Sequence, residues 1–212
     1  DTTHSSPGEE PALASEPNIL FLANLWRRKG IFTLLDAFQI VHRAMPNCRL
    51  TIVGSAGLEA EVHRRADALS ARPQITFIRQ VSRAEMPAMV RKATVYCLPS
   101  YGEPLGNSAI EVMACGKPIV GTNAGGLGEL IQDGGGRKVP PRDANALAAA
   151  LLEILASPEL QTQMGKFNRD LIQREFAWDR VMEKLETAYQ RGLRTQSVTV
   201  AASAKMPGIP NF

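Results

Sequence analysis

From Asn18 to Gly121 the chain alternates short apolar runs with longer amphipathic ones, and this alternation constrains the fold more than any other feature. NILFLAN (18 to 24), RLTIVG (49 to 54), QITFI (74 to 78), TVYCLP (94 to 99) and PIVG (118 to 121) read as strands. Between them lie helical patterns over 30 to 45, 58 to 70, 83 to 92 and 108 to 115; the first places Phe32, Leu35, Phe38 and Val41 on one face. Continuous Val- and Ile-rich strands, each followed by a crossover helix, imply a parallel sheet covered on both sides. The expected fold class is therefore α/β, a Rossmann-like doubly wound sheet, with extra helices after Asp143 over 143 to 156, from Pro158 onward, and from Trp178 to Leu193. There is no internal repeat. With 212 residues, 44% of them apolar, one sizeable core is affordable, and we assign a single domain to 18 to 192.

The flanks read differently. Residues 1 to 17, polar and with three prolines, read as a flexible linker, and 193 to 212 as a loose tail. A linker at the start raises the expectation of a further domain upstream. The charge of +3 comes from 24 basic and 21 acidic residues spread along the chain, a pattern that argues against nucleic acid as a partner. Cys48, Cys97 and Cys115 are odd in number and lie in apolar surroundings, which suggests buried thiols. No apolar run approaches the roughly 18 residues of a membrane span and no signal peptide is evident, so the expected location is cytoplasmic. His4, His42 and His63 are scattered and read as surface or structural residues, Trp178 as an anchor of the last helix in the core, and GGG at 134 to 136 as a flexible turn before an RKV strand.

In an open parallel sheet, ligands bind beyond the carboxyl ends of the strands. PSYGEPLGNSAIEVMACGKPIV (99 to 120) begins at such an end. Its helix is expected to start at Asn107 or Ser108, both good N-cap types. Gly106 lets an anion approach the free N–H groups of the first turn. Glu111, about one turn inside, can accept hydrogen bonds from two neighbouring hydroxyls of a ribose, and Glu103 faces the other side of the phosphates. A ligand with a sugar, a diphosphate and a nucleoside suits that spacing. A plainer reading also fits: a helix-start glutamate complements the macrodipole by roughly 0.3 to 1 kcal/mol, and a loop glutamate is ordinarily solvated.

At these residues the chain resembles glycosyltransferase family 4, whose GT-B fold sets two Rossmann-like domains across a cleft. The signature is a Pro-Ser strand end, a glutamate, Pro-hydrophobe-Gly, a second glutamate eight positions on, and an apolar helix ending in Ala-Cys-Gly-x-Pro. KGIFTLLDAF (29 to 38), RLTIVG (49 to 54), TNAGGLGELIQDG (122 to 134), VPPRDANALAAAL (139 to 151) and FAWDRV (176 to 181) continue the likeness over about 18 to 190, which corresponds to that family's C-terminal, donor-binding half. The resemblance implies transfer of a sugar from a UDP-, GDP- or ADP-sugar to a glycan, lipid or small-molecule acceptor, with retention and with no metal or other cofactor. It gives Glu111 the ribose hydroxyls, the amides around Leu105, Gly106 and Asn107 the distal phosphate, Glu103 the hydroxyls of the transferred sugar, and Lys29 the diphosphate, whose charge it stabilises as the nucleotide leaves. No Asp-x-Asp motif and no metal-spaced His and Cys cluster is present. The partner so implied is an acceptor-binding N-terminal domain missing from this chain, which alone would then be inactive; membrane association, where it exists, would reside in that half.

Two positions depart from the pattern. Asn24 stands where the family usually has an arginine, so half of the diphosphate clamp is absent unless Arg27 or Arg28 supplies the charge. Arg79 stands near the expected nucleobase site where glycine is common. A noncatalytic nucleotide-sugar binding or interaction module is thus an alternative. A nicotinamide-dependent oxidoreductase lacks support, since GSAG (54 to 57) reads as a turn and not as the G-x-G-x-x-G fingerprint.

Overall fold

The computed structural model describes residues 16 to 203, and the side chains of 192 to 203 are not described. Six parallel strands, β1 (Asn18–Leu22), β2 (Arg49–Val53), β3 (Ile75–Ile78), β4 (Val95–Leu98), β5 (Ile119–Thr122) and β6 (Gly136–Val139), form one sheet in the order β3-β2-β1-β4-β5-β6. The doubly wound parallel sheet read from the sequence is the one observed. Strands β4 and β5 are buried at all four positions each because both faces are covered.

Helices α1 (Ile31–Ala44), α2 (Glu59–Asp67), α3 (Met86–Arg91), α4 (Asn107–Ala114), α5 (Gly126–Leu130), α6 (Ala144–Leu155), α7 (Pro158–Glu175) and α8 (Trp178–Ser203) complete the chain. Right-handed crossovers from β1 to β2 and from β4 to β5 run in opposite directions along the sheet, so α1 and α4 cover opposite faces. Accordingly α1 packs beside α6, and α4 beside α7. Strand order reverses between β1 and β4, where Ile19 pairs with Val95 and Leu20 with Tyr96. That is the switch point at which such sheets open a crevice.

Several expectations are corrected. Neither Asn107 nor Ser108 caps α4; the N-cap is Gly106, at φ 77°, a conformation that glycine reaches without strain. α5 was not expected, because its glycines mask a helical pattern. The glycines at 134 to 136 are packed and not a free turn: a Cβ on Gly135 would lie 1.8 Å from Oδ1 of Asn168, and one on Gly136 2.1 Å from the Ile119 carbonyl oxygen. Of the expected linker, residues 1 to 15 lie outside the described residues, but Pro17 accepts a 2.8 Å hydrogen bond from Arg49 N and Glu16 pairs with the Arg49 side chain, tying 16 and 17 to β2.

At the other end, α8 continues past Leu193 to Ser203, since no glycine or proline interrupts the chain there; 204 to 212 lie outside the described residues. Trp178 does not anchor the core: it is 71% exposed, at the head of an apolar stripe with Val181, Met182, Leu185 and Tyr189. His63 stacks on Phe77 and His42 lies near Phe38, both structural placements, while His4 is outside the described residues. The three cysteines are free and buried, and burial pushes the Cys48 thiol up to about 12 and that of Cys97 higher still.

Candidate functional site

The loops that leave β1 and β4 emerge side by side and are fastened together. Gly30 sits at φ 73°, and a Cβ there would come within 1.8 Å of the Pro99 carbonyl oxygen, so glycine is what allows the two loops to touch. The Arg28 carbonyl accepts two hydrogen bonds from the β4 loop, one from Tyr101 N at 2.7 Å and one from Ser100 Oγ at 2.9 Å. Thr122 Oγ1 at the end of β5 donates to the Ser100 carbonyl. The loop is thereby held from both neighbouring strands.

This frame turns Glu103 inward. Its side chain is buried, with Oε2 paired to Nζ of Lys29 and 3.4 Å from Ser100 Oγ. Lys29 ends a single 3-10 turn, Arg27–Lys29, which aims its side chain across the crevice. An ion pair this shielded persists only where surrounding groups hold both partners in place, because desolvation opposes it. On the far side, the Glu103 carbonyl accepts from Leu127 N at 3.2 Å. Gly125 and Gly126 lie so close that a Cβ on either would meet the Glu103 or Pro104 carbonyl oxygen at 2.6 and 1.8 Å.

α4 starts immediately beyond. No side-chain oxygen caps it, and in its first turn Ala109 N turns back to the Gly106 carbonyl at 2.8 Å. Its start is fixed from beneath by Tyr96, which is fully buried and donates to the Leu22 carbonyl at 3.2 Å while sharing a 2.8 Å hydrogen bond with Ser108 Oγ. Burial pushes the Tyr96 phenol well above its ordinary range, and the nearby carboxylates of Glu103 and Glu111 add to the effect. Glu111 is half-buried, and its carbonyl accepts from Cys115 N at 3.2 Å within the helix. Leu105 and Asn107 are exposed on either side of buried Gly106.

The structure thus brings Lys29 and Glu103 into contact, beside the α4 start formed by Leu105, Gly106 and Asn107, with Glu111 on the following turn. The remaining residues stay at the rim. Asn24 is exposed, and Arg28 is exposed with its guanidinium 5.0 Å from the Trp26 ring centroid. Arg27 is taken up by Glu61 at 2.8 Å. Arg79, also exposed, pairs with Glu59 at 3.7 Å. Sequence reasoning did not single out Ser100, Thr122, Tyr96 or the Gly125–Gly126 pair; two adjacent glycines ahead of a helix were the one available signal. Among the described residues no group of three or more His, Cys, Asp and Glu side chains converges as a metal site, and no helix is long and apolar enough to cross a membrane.

Chemically, an ammonium and free amides at one point can hold an anion, and two carboxylates flanking them can accept from hydroxyls. Fold and site define a Rossmann-like ligand-binding domain. The sequence model of the family described as glycosyl transferases group 1 matches residues 6 to 171, and the chain belongs to that family. It is 32% identical over 200 residues to the phosphatidyl-myo-inositol mannosyltransferase of Mycobacterium leprae (strain TN), covering 91% of this chain and 52% of that protein. It is 30% identical over 178 residues to the GDP-mannose-dependent alpha-(1-6)-phosphatidylinositol monomannoside mannosyltransferase of Mycolicibacterium smegmatis, covering 80% of this chain and 47% of that one. Among solved structures, the sucrose-phosphate synthase of Thermosynechococcus elongatus superposes with a TM-score of 0.81 at 31% identity, over 92% of this chain and 51% of that chain. The chain spans about half the length of the curated relatives it matches.

Proposed function

We propose that this chain is the donor-binding half of a retaining, metal-independent glycosyltransferase that takes its sugar from a nucleoside-diphosphate sugar. The observation that carries this reading is the shielded Lys29–Glu103 pair at the switch point, set beside the uncapped start of α4. In this reading the amides of Leu105, Gly106 and Asn107 and the Lys29 ammonium hold the diphosphate. As the bond between the sugar's anomeric carbon and the diphosphate oxygen breaks, negative charge gathers on the leaving group, and these preorganised donors stabilise it without a metal ion. Glu103 accepts from hydroxyls of the transferred sugar, and Glu111, half-buried one turn into α4, accepts from the ribose. Asn24 supplies a neutral donor at best, and with Arg27 held by Glu61, Arg28 is the neighbouring cation that can add charge by leaving Trp26.

The acceptor, whether glycan, lipid or small molecule, belongs to an N-terminal half outside this chain, and the chain alone does not turn over. The exposed apolar stripe of α8 is the surface suited to that half. Asn24 also favours a second reading, a binding module without catalysis. Calorimetric titration with UDP, GDP and ADP and their sugar nucleotides, with chelator present and beside Glu111→Ala, tests the donor site. Binding of one nucleotide that weakens at least about tenfold in the variant is expected, the loss of hydrogen bonds to a charged acceptor. Equal binding by wild type and variant would remove Glu111 from the site, and binding that requires added metal would end the metal-independent reading.

A further inference from the structure

Two described residues other than glycine adopt positive φ, Ala56 at 70° and Arg142 at 65°. Ala56 lies in the exposed turn between Gly54 and Gly57. Arg142 lies in the turn that joins β6 to α6, where glycine would take the same backbone without strain. What the arginine adds is its side chain: the guanidinium carbon stands 4.8 Å from the centroid of the Tyr101 ring. Tyr101 follows Ser100 in the β4 loop, two positions before Glu103. Its amide donates to the Arg28 carbonyl at 2.7 Å, and its hydroxyl shares a 3.0 Å hydrogen bond with Thr33 Oγ1 in the first turn of α1. The loop that carries Glu103 is therefore held by the β1 loop, by α1 and, over the ring, by a strained residue from a turn on the opposite side of β4. Strain that persists where glycine would serve is characteristic of functional positions.

We infer that Arg142 is a positioning residue for Glu103. Its stack on Tyr101 fixes the β4 loop so that the Glu103 carboxylate keeps its orientation toward the hydroxyls of the transferred sugar. The inference rests on the donor-site reading above. Arg142 acts through Tyr101 and touches no part of the donor, and the groups assigned to the diphosphate have supports apart from the stack, Lys29 in the Arg27–Lys29 turn and the α4 start on the Tyr96–Ser108 hydrogen bond. Removing it should therefore weaken recognition of the sugar and leave recognition of the diphosphate unchanged.

The experiment is calorimetric titration of the 212-residue chain and of Arg142→Gly with UDP, GDP and ADP and with UDP-glucose, GDP-mannose and ADP-glucose, alongside thermal unfolding. In Arg142→Gly, relief of strain offsets the lost stack, and Tm is expected within about 2 °C of wild type. Affinity for the nucleoside diphosphate is expected to be unchanged, while the extra affinity of the matching nucleotide sugar falls roughly three- to tenfold, the range of a cation–π contact. Tyr101→Leu, which also removes the hydroxyl bond to Thr33, is expected to show a selective loss at least as large, and adding Arg142→Gly to it no further loss, because Arg142 acts through the Tyr101 ring. A sugar increment unchanged in Arg142→Gly, a loss shared equally by the diphosphate, or a wild-type nucleotide sugar bound no tighter than its diphosphate each overturns the positioning role. A wild-type chain that binds none of the six ligands overturns the donor-site reading itself, and this inference with it.

Discussion

The helices that begin around Glu103 start differently from α6 and α7. α1, α4 and α5 open on Gly30, Gly106 and Gly125, at φ 73°, 77° and 64°, with no side-chain cap. α6 and α7 open on Asp143 and Ser157, whose side chains accept from Ala146 N at 2.9 Å and Leu160 N at 3.2 Å. A side-chain cap satisfies a helix start and ends its chemistry there. A glycine brings no side-chain oxygen to the first N–H groups and lets neighbouring main chain approach to contact distance, as the Glu103 carbonyl does at Leu127 N. One kind of helix end builds scaffold, and the other builds the wall of a site.

The largest test of this contrast is Gly30→Ala. Backbone strain and the clash with the Pro99 carbonyl together should destabilise the chain by about 4 kcal/mol, read by urea denaturation; a loss below about 1 kcal/mol would mean that the two loops are not held in contact. Next comes Lys29→Met, which leaves the Glu103 carboxylate shielded and alone. It should cost about 3 kcal/mol, and adding Glu103→Leu should recover most of that. If the double variant is no better than the single, the pair is not a shielded one. Smallest is Asp143→Ala, a loss of about 1 kcal/mol from the α6 cap with nucleotide titration unchanged. A change in ligand affinity there would blur the distinction between scaffold and site ends.

The sheet was legible because strands buried on both faces read as unbroken apolar runs, and the site's loop because proline, glycine and two glutamates punctuate it. Less legible were features set by contacts distant in sequence. Nothing local says that Asn107 loses the cap position to Gly106, since this depends on how the β4 loop passes Leu127 and Glu103. Nor does local sequence pair Lys29 with Glu103: the two were assigned to different parts of a ligand, and only the adjacency of β1 and β4 brings them together. α8 misled for a related reason. Its amphipathic pattern announces a buried face, but Trp178, Val181, Met182, Leu185 and Tyr189 find no cover within the described residues.

The Lys29–Glu103 pair joins positions 74 residues apart along the chain, and its halves meet only when β1 docks against β4. Such a site has no partial version in the unfolded ensemble, so any ligand bound there is coupled to cooperative folding of the whole sheet. Hydrogen exchange of the strands farthest from the crevice, β3 and β6 included, would slow on binding as much as that of the loops in contact wherever exchange proceeds through global unfolding.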